Sequence, residues 1–115
     1  MGIPHNDTAF TLSDFGRSLQ PSGTGSDHGW GSHHLVVGGG VNGGQIYGKY
    51  PILNQADSAY DPNAFADSRG VLIPSSSLAQ YGGTLAKWFG ALDTDLNGLF
   101  PELANFSQRD LGFMF

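Results

Sequence analysis

Residues 11–34 read TLSDFGRSLQPSGTGSDHGWGSHH, and how this stretch is read decides the fold. It opens as the end of a strand-like run, Thr8-Ala9-Phe10-Thr11-Leu12-Ser13. Phe10 and Leu12 fall on one face of that run, Thr11 and Ser13 on the other. The stretch then presents Asp14 and Arg17, passes through Pro21-Ser22-Gly23-Thr24-Gly25-Ser26, and delivers Asp27, His28, His33 and His34. Residues 20–31 show no apolar period, so a loop is expected there, with glycines tight enough to carry Asp27 and His28 back over Asp14. In a parallel sheet, Asp14 would stand just past the carboxyl end of its strand, where open α/β sheets place their sites. Three of the four histidines lie in this stretch, so the rest of the chain reads as its frame.

Working outward, a chain of 115 residues makes one domain, 1–115, with a modest core. There is no cysteine, which excludes a disulfide framework and a thiolate metal site. A net charge of −5 with only five Lys and Arg argues against a nucleic-acid partner held through phosphates. No apolar run reaches the length of a membrane span, so no membrane partner is expected. The segment MGIPHNDTAF has neither a basic n-region nor an apolar h-region and does not read as a signal peptide.

Leu35-Val36-Val37 reads as a buried strand. The glycine-rich run 38–44 and the β-prone Gln45-Ile46-Tyr47 follow, and Asn42-Gly43 between them signals a hairpin. Gly38 to Gly43 also satisfies G-x-G-x-x-G, but a dinucleotide fingerprint must open a helix, and here another strand-like run follows. Residues 51–70 read as a long surface loop. Leu78, Tyr81, Leu85, Trp88 and Phe89 recur at helical spacing, predicting a helix over 76–89 with a cap among Ser75–Ser77 and a stop at Gly90. Gly82 and Gly83 within it suit close packing against another backbone. Asp93 reads as the N-cap of a second short helix ended by Pro101, and the apolar tail reads as docked. Asp93-Thr94-Asp95-Leu96-Asn97-Gly98 copies the start of an EF-hand loop, but Ala104 stands where the bidentate Glu is needed.

Asp14, Asp27, His28, His33 and His34 offer a mixed nitrogen and oxygen donor set. Such a set suits zinc, manganese or iron better than calcium. Adjacent Asp27 and His28 converge only in an irregular loop, and His33 and His34, starting a strand, point to opposite faces. The bland alternative is a turn-capping Asp27 and half-buried strand histidines. Arg17 can clamp an anion through its planar fork, or make a structural ion pair. No serine sits in G-x-S-x-G.

SDFGR at 13–17, SGTGSDHGWG at 22–31, HHLVVGGGVNGGQIYG at 33–48, IPSSSLAQYGGTLAKWFG at 73–90 and LFPELANF at 99–106 resemble the C-terminal part of the DUF1501 family. Members are mostly bacterial, often exported by the twin-arginine route, and grouped with the alkaline phosphatase and sulfatase superfamily. The resemblance implies an α+β piece of an α/β/α sandwich, its glycine-rich hairpin packed with one or two C-terminal helices and the N-terminal half absent. It also implies a divalent ion, zinc first with manganese or iron as alternatives, held by Asp14, Asp27 and His28. The expected chemistry is hydrolysis of a small anionic phosphate or sulfate ester by metal-activated water, with Asp14, Arg17 and His28 in catalytic roles. The alternative is a non-catalytic metal-binding or structural fragment. An incomplete sandwich is expected to self-associate.

Overall fold

The computed structural model of the chain describes residues 4–53 and 68–115. Its elements are β1 (Thr8–Phe10), β2 (Gly16–Ser22), β3 (Gly25–Gly29), β4 (Val36–Gly38), α1 (Leu78–Phe89) and α2 (Asp93–Leu99). The described residues form a small α+β fold with two antiparallel sheets of two strands each, β1–β4 and β2–β3. They divide into two compact units. Among them, one comprises residues 4–10, Val36–Gly48 and Ser76–Phe115, the other Thr11–Leu35 with residues 49–53 and 68–75.

The first unit is organised by α1. Ser77 Oγ accepts from the Gln80 amide at 3.0 Å, and Gln80 Oε1 accepts from the Ser77 amide at 2.9 Å. This reciprocal capping box satisfies two donors that a helix start leaves unpaired. Gly90 ends the helix at φ 114°, a left-handed conformation that glycine adopts without a Cβ clash. The expected span of 76–89 is therefore two residues long at its start. The glycine pair packs closely, but against side chains rather than another backbone: a Cβ on Gly82 would come within 2.8 Å of the Phe100 ring, and one on Gly83 within 2.9 Å of the Leu103 side chain.

Helix α2 begins at Asp93, but its N-cap is Leu92 rather than Asp93. Asp95 reaches back to accept the Leu92 amide at 3.0 Å, so the acid that tethers the start lies inside the first turn. Pro101 closes α2 and opens a 3-10 turn, Pro101–Asn105, which delivers Leu103 to the core. Leu103, Ala79 and Leu96 form that core, with Ala86, Ala91 and Phe100 packed on it.

The C-terminal tail is docked. Val41 bridges Met114, the Asn42 amide donates to the Phe113 carbonyl at 2.9 Å, and the Phe115 amide donates to Gly40 at 3.0 Å. Buried Phe113 meets the rings of Tyr81 and Tyr47 at 5.5 and 5.9 Å. Burial pushes the Tyr81 phenol above its usual value. Thr84, buried to 2% exposure, links helix and tail: its hydroxyl donates to the Gln80 carbonyl and accepts from the Leu111 amide at 2.9 Å. Thr84→Val keeps the shape and strands the Leu111 N–H, so it should cost about 1–3 kcal/mol. Urea unfolding measures this, and an unchanged midpoint would mean the tail docks without that bond.

Three strand expectations are corrected. The hairpin at Asn42-Gly43 does not form, because the glycine run pairs with the tail through Gly40, Val41 and Asn42. Gly40 also sits against Trp88, where a Cβ would fall 2.8 Å from the indole. The run expected over 8–13 ends as a strand at Phe10 and pairs antiparallel, not parallel. Just beyond it the Leu35 amide turns to the Thr11 hydroxyl at 2.9 Å instead of a backbone carbonyl. Val37, read as buried, is 68% exposed because β4 has one partner strand and alternate residues face outward, and Leu35, just before β4, is 73% exposed as well. The surface loop expected over 51–70 lies largely outside the described residues, with Asp57, Asp61 and Asp67 among those not described.

Candidate functional site

In the second unit, the segment read as a loop is a hairpin. β2 and β3 pair with Gly16 opposite Gly29, Arg17 opposite His28, Pro21 opposite Ser26 and Ser22 opposite Gly25, with a bulge between Arg17 and Pro21. Gly23 takes φ 58°, and no other residue type in the described chain has positive φ, so the two-residue turn Gly23-Thr24 follows the II′ pattern. The bulge is held from outside. The Leu19 and Gln20 amides donate to the Gly70 and Arg69 carbonyls at 3.1 and 2.9 Å, and the Gly31 amide donates to Leu72 at 3.1 Å. Leu72 is buried beneath Gly31, and Gly16 lies so close to Gly31 that a Cβ would overlap its carbonyl oxygen.

This hairpin decides where the candidate residues stand. Arg17 and His28 are directly opposite and exposed, so their side chains share a face. One guanidinium nitrogen of Arg17 donates to the Ser26 carbonyl. The His28 ring stacks on Phe15, with centroids 3.8 Å and planes 15° apart, and Arg17 Cζ stands 5.2 Å from the same ring. Asp27, one residue along the strand, projects to the opposite face and is ion-paired with Arg69. Both partners are nearly half exposed, which limits the pair to about 0–1 kcal/mol.

The remaining candidates have separate partners. Asp14 lies exposed in a bend within the turn where Ser13 Oγ donates to the Phe15 carbonyl at 2.9 Å. The His33 ring stacks on Tyr50 at 4.4 Å, and His34 Nδ1 is 3.3 Å from Thr11 Oγ1. Among the described residues no three His, Asp or Glu side chains gather as a shell for an ion. The structure thus brings together Arg17 and His28, and holds Asp27, His33 and His34 on other contacts.

Sequence reasoning missed Phe15 and Arg69. Phe15 precedes Arg17 by two residues, and the strand period could have placed them on one side. Arg69 is 42 residues from Asp27, beyond any local signal.

No curated protein and no solved structure matches the chain. The model of one family, described as Protein of unknown function (DUF1501), matches residues 5–95. That span takes in both strands of the hairpin and α1 complete, so the chain belongs to the DUF1501 family.

Proposed function

We propose that the Gly16–Gly29 hairpin carries an anion-recognition face of a hydrolase acting on phosphate or sulfate esters. The observation that supports this is the placement of Arg17 opposite His28 on one exposed face, both against Phe15. A planar guanidinium fork and an imidazole on one exposed face are donor types suited to a tetrahedral anion. The resemblance to the DUF1501 family, through that family's grouping with the alkaline phosphatase and sulfatase superfamily, supports the same substrate class. It also supports reading the described elements as part of an α/β/α sandwich.

The resemblance further proposes a divalent ion, zinc before manganese or iron. Imidazole and carboxylate are suitable donors in kind, but their arrangement does not fit one ion: Asp27 and His28 leave opposite faces of β3, Asp27 is taken by Arg69, and His33 and His34 are held elsewhere. Near-stoichiometric zinc in purified protein, lost in His28→Ala, would require these donors to regroup. The same arrangement favours a second reading, a binding or structural module without turnover. A panel of aryl phosphate and aryl sulfate esters separates the two. Turnover that falls in His28→Ala supports the hydrolase. Sulfate binding at Arg17 and His28 without turnover supports the module, and no sulfate binding overturns the anion face.

Self-association belongs to the same proposal. Phe10 and Phe89, 51% and 87% exposed, line one open apolar groove with Leu85, Ala86 and Trp88 in the first unit, and a contiguous exposed apolar surface suits cover by a second copy. Light scattering at micromolar concentration should give at least twice 12.2 kDa. A monomer would withdraw the oligomer and leave the anion face untouched.

A further inference from the structure

We infer that Phe15 is a positioning residue for this face: its ring orders the Arg17 guanidinium and the His28 imidazole before an anion arrives. The inference rests on the anion reading above. The stack on His28 is close and nearly parallel, and the Arg17 cation lies within cation–π range of the same ring. Phe15 remains 36% exposed, so burial in a core does not account for its position. Its backbone is held by the turn in which Ser13 Oγ donates to its carbonyl, and Arg17 is also tied to the Ser26 carbonyl. An exposed arginine and histidine would otherwise lose rotamer freedom on binding, and that loss opposes affinity. A ring shared by both side chains removes part of the loss in advance and sets their mutual orientation.

The test is a sulfate titration of the full chain followed by NMR of the His28 ring and hairpin amides, in wild type, Phe15→Leu, Phe15→Met and Phe15→Tyr. Stacking predicts that the His28 ring protons resonate upfield in wild type and Phe15→Tyr, relative to both aliphatic variants, before sulfate is added. Sulfate affinity should fall about three- to ten-fold in the aliphatic variants, a range that two exposed ring contacts support, and stay within about two-fold in Phe15→Tyr. Two aliphatic variants are used so that one misfolded hairpin, visible in its amide spectrum, leaves the other to decide. Wild-type affinity in a folded aliphatic variant overturns the positioning role alone. So does an equal loss in Phe15→Tyr, or an unshifted His28 ring. Absence of sulfate binding in wild type overturns the anion face, and this role with it.

Discussion

On the proposed hydrolase reading, Arg17→Lys should reduce ester turnover by about 10- to 1000-fold, the largest functional effect expected of a single substitution here. The charge stays, so long-range attraction of an anion is kept. What is lost is the planar fork, which can bond the Ser26 carbonyl, stand over Phe15 and still offer donors in a fixed direction. A lysine ammonium is a compact point charge on a flexible stem and cannot hold all three relations. The loss should fall mainly on kcat if the fork meets charge that develops in the transition state, and on KM if it only holds the ground state. Turnover within two-fold of wild type would remove Arg17 from the site. The hairpin amide spectrum of the variant serves as the folding control, because the Ser26 contact is lost as well. Arg69→Gln should leave turnover nearly unchanged, since its pair with Asp27 leaves from the other face and is half exposed.

Leu103→Ala should lower the unfolding free energy by about 2–5 kcal/mol. Leu103 is fully buried, joins Ala79 and Leu96 in the core, and fills the space over Gly83 that a glycine leaves in α1. The neighbours are small or already placed, so the cavity has little to collapse into, and the cost should lie toward the upper half of that range. Native stability is typically only about 5–15 kcal/mol, so this one side chain is a large share of it. Urea unfolding should show a lower midpoint with an unchanged slope. Leu103→Met, which conserves volume, should cost less than about 1.5 kcal/mol. A loss below about 1 kcal/mol in the alanine variant would place Leu103 outside the core.

The two helices, their stops and the docked tail were legible in the sequence because their signals are local. Leu78, Tyr81 and Leu85 state a helical period over a few turns. Ser77 and Gln80 cap one another across three residues, and Gly90 supplies the left-handed stop wherever the helix packs. That something approaches Gly82 and Gly83 closely follows from type and place, since a glycine pair inside a helix is costly otherwise, but that the neighbours are the Phe100 and Leu103 side chains rather than another backbone does not. The candidate residues were legible as types, and membership of the DUF1501 family rests on sequence alone.

Strand pairing was decided by tertiary structure. Ser22-Gly23-Thr24-Gly25 and Asn42-Gly43 both carry turn chemistry, and locally the second is the stronger hairpin signal. The first closed, because residues 69–72 hold its bulge and Leu72 fills the space under Gly31. The second did not, because Phe113 to Phe115, some seventy residues on, took the backbone groups of Gly40 and Asn42. Closing contacts of that length costs chain entropy that only a formed core offsets, and no window of sequence shows whether it will. The same choice separated the candidate residues. Once residues 25–29 became a strand, the two-residue period sent His28 toward Arg17 and Phe15 and Asp27 toward Arg69, which the sequence, read as a loop, had placed together.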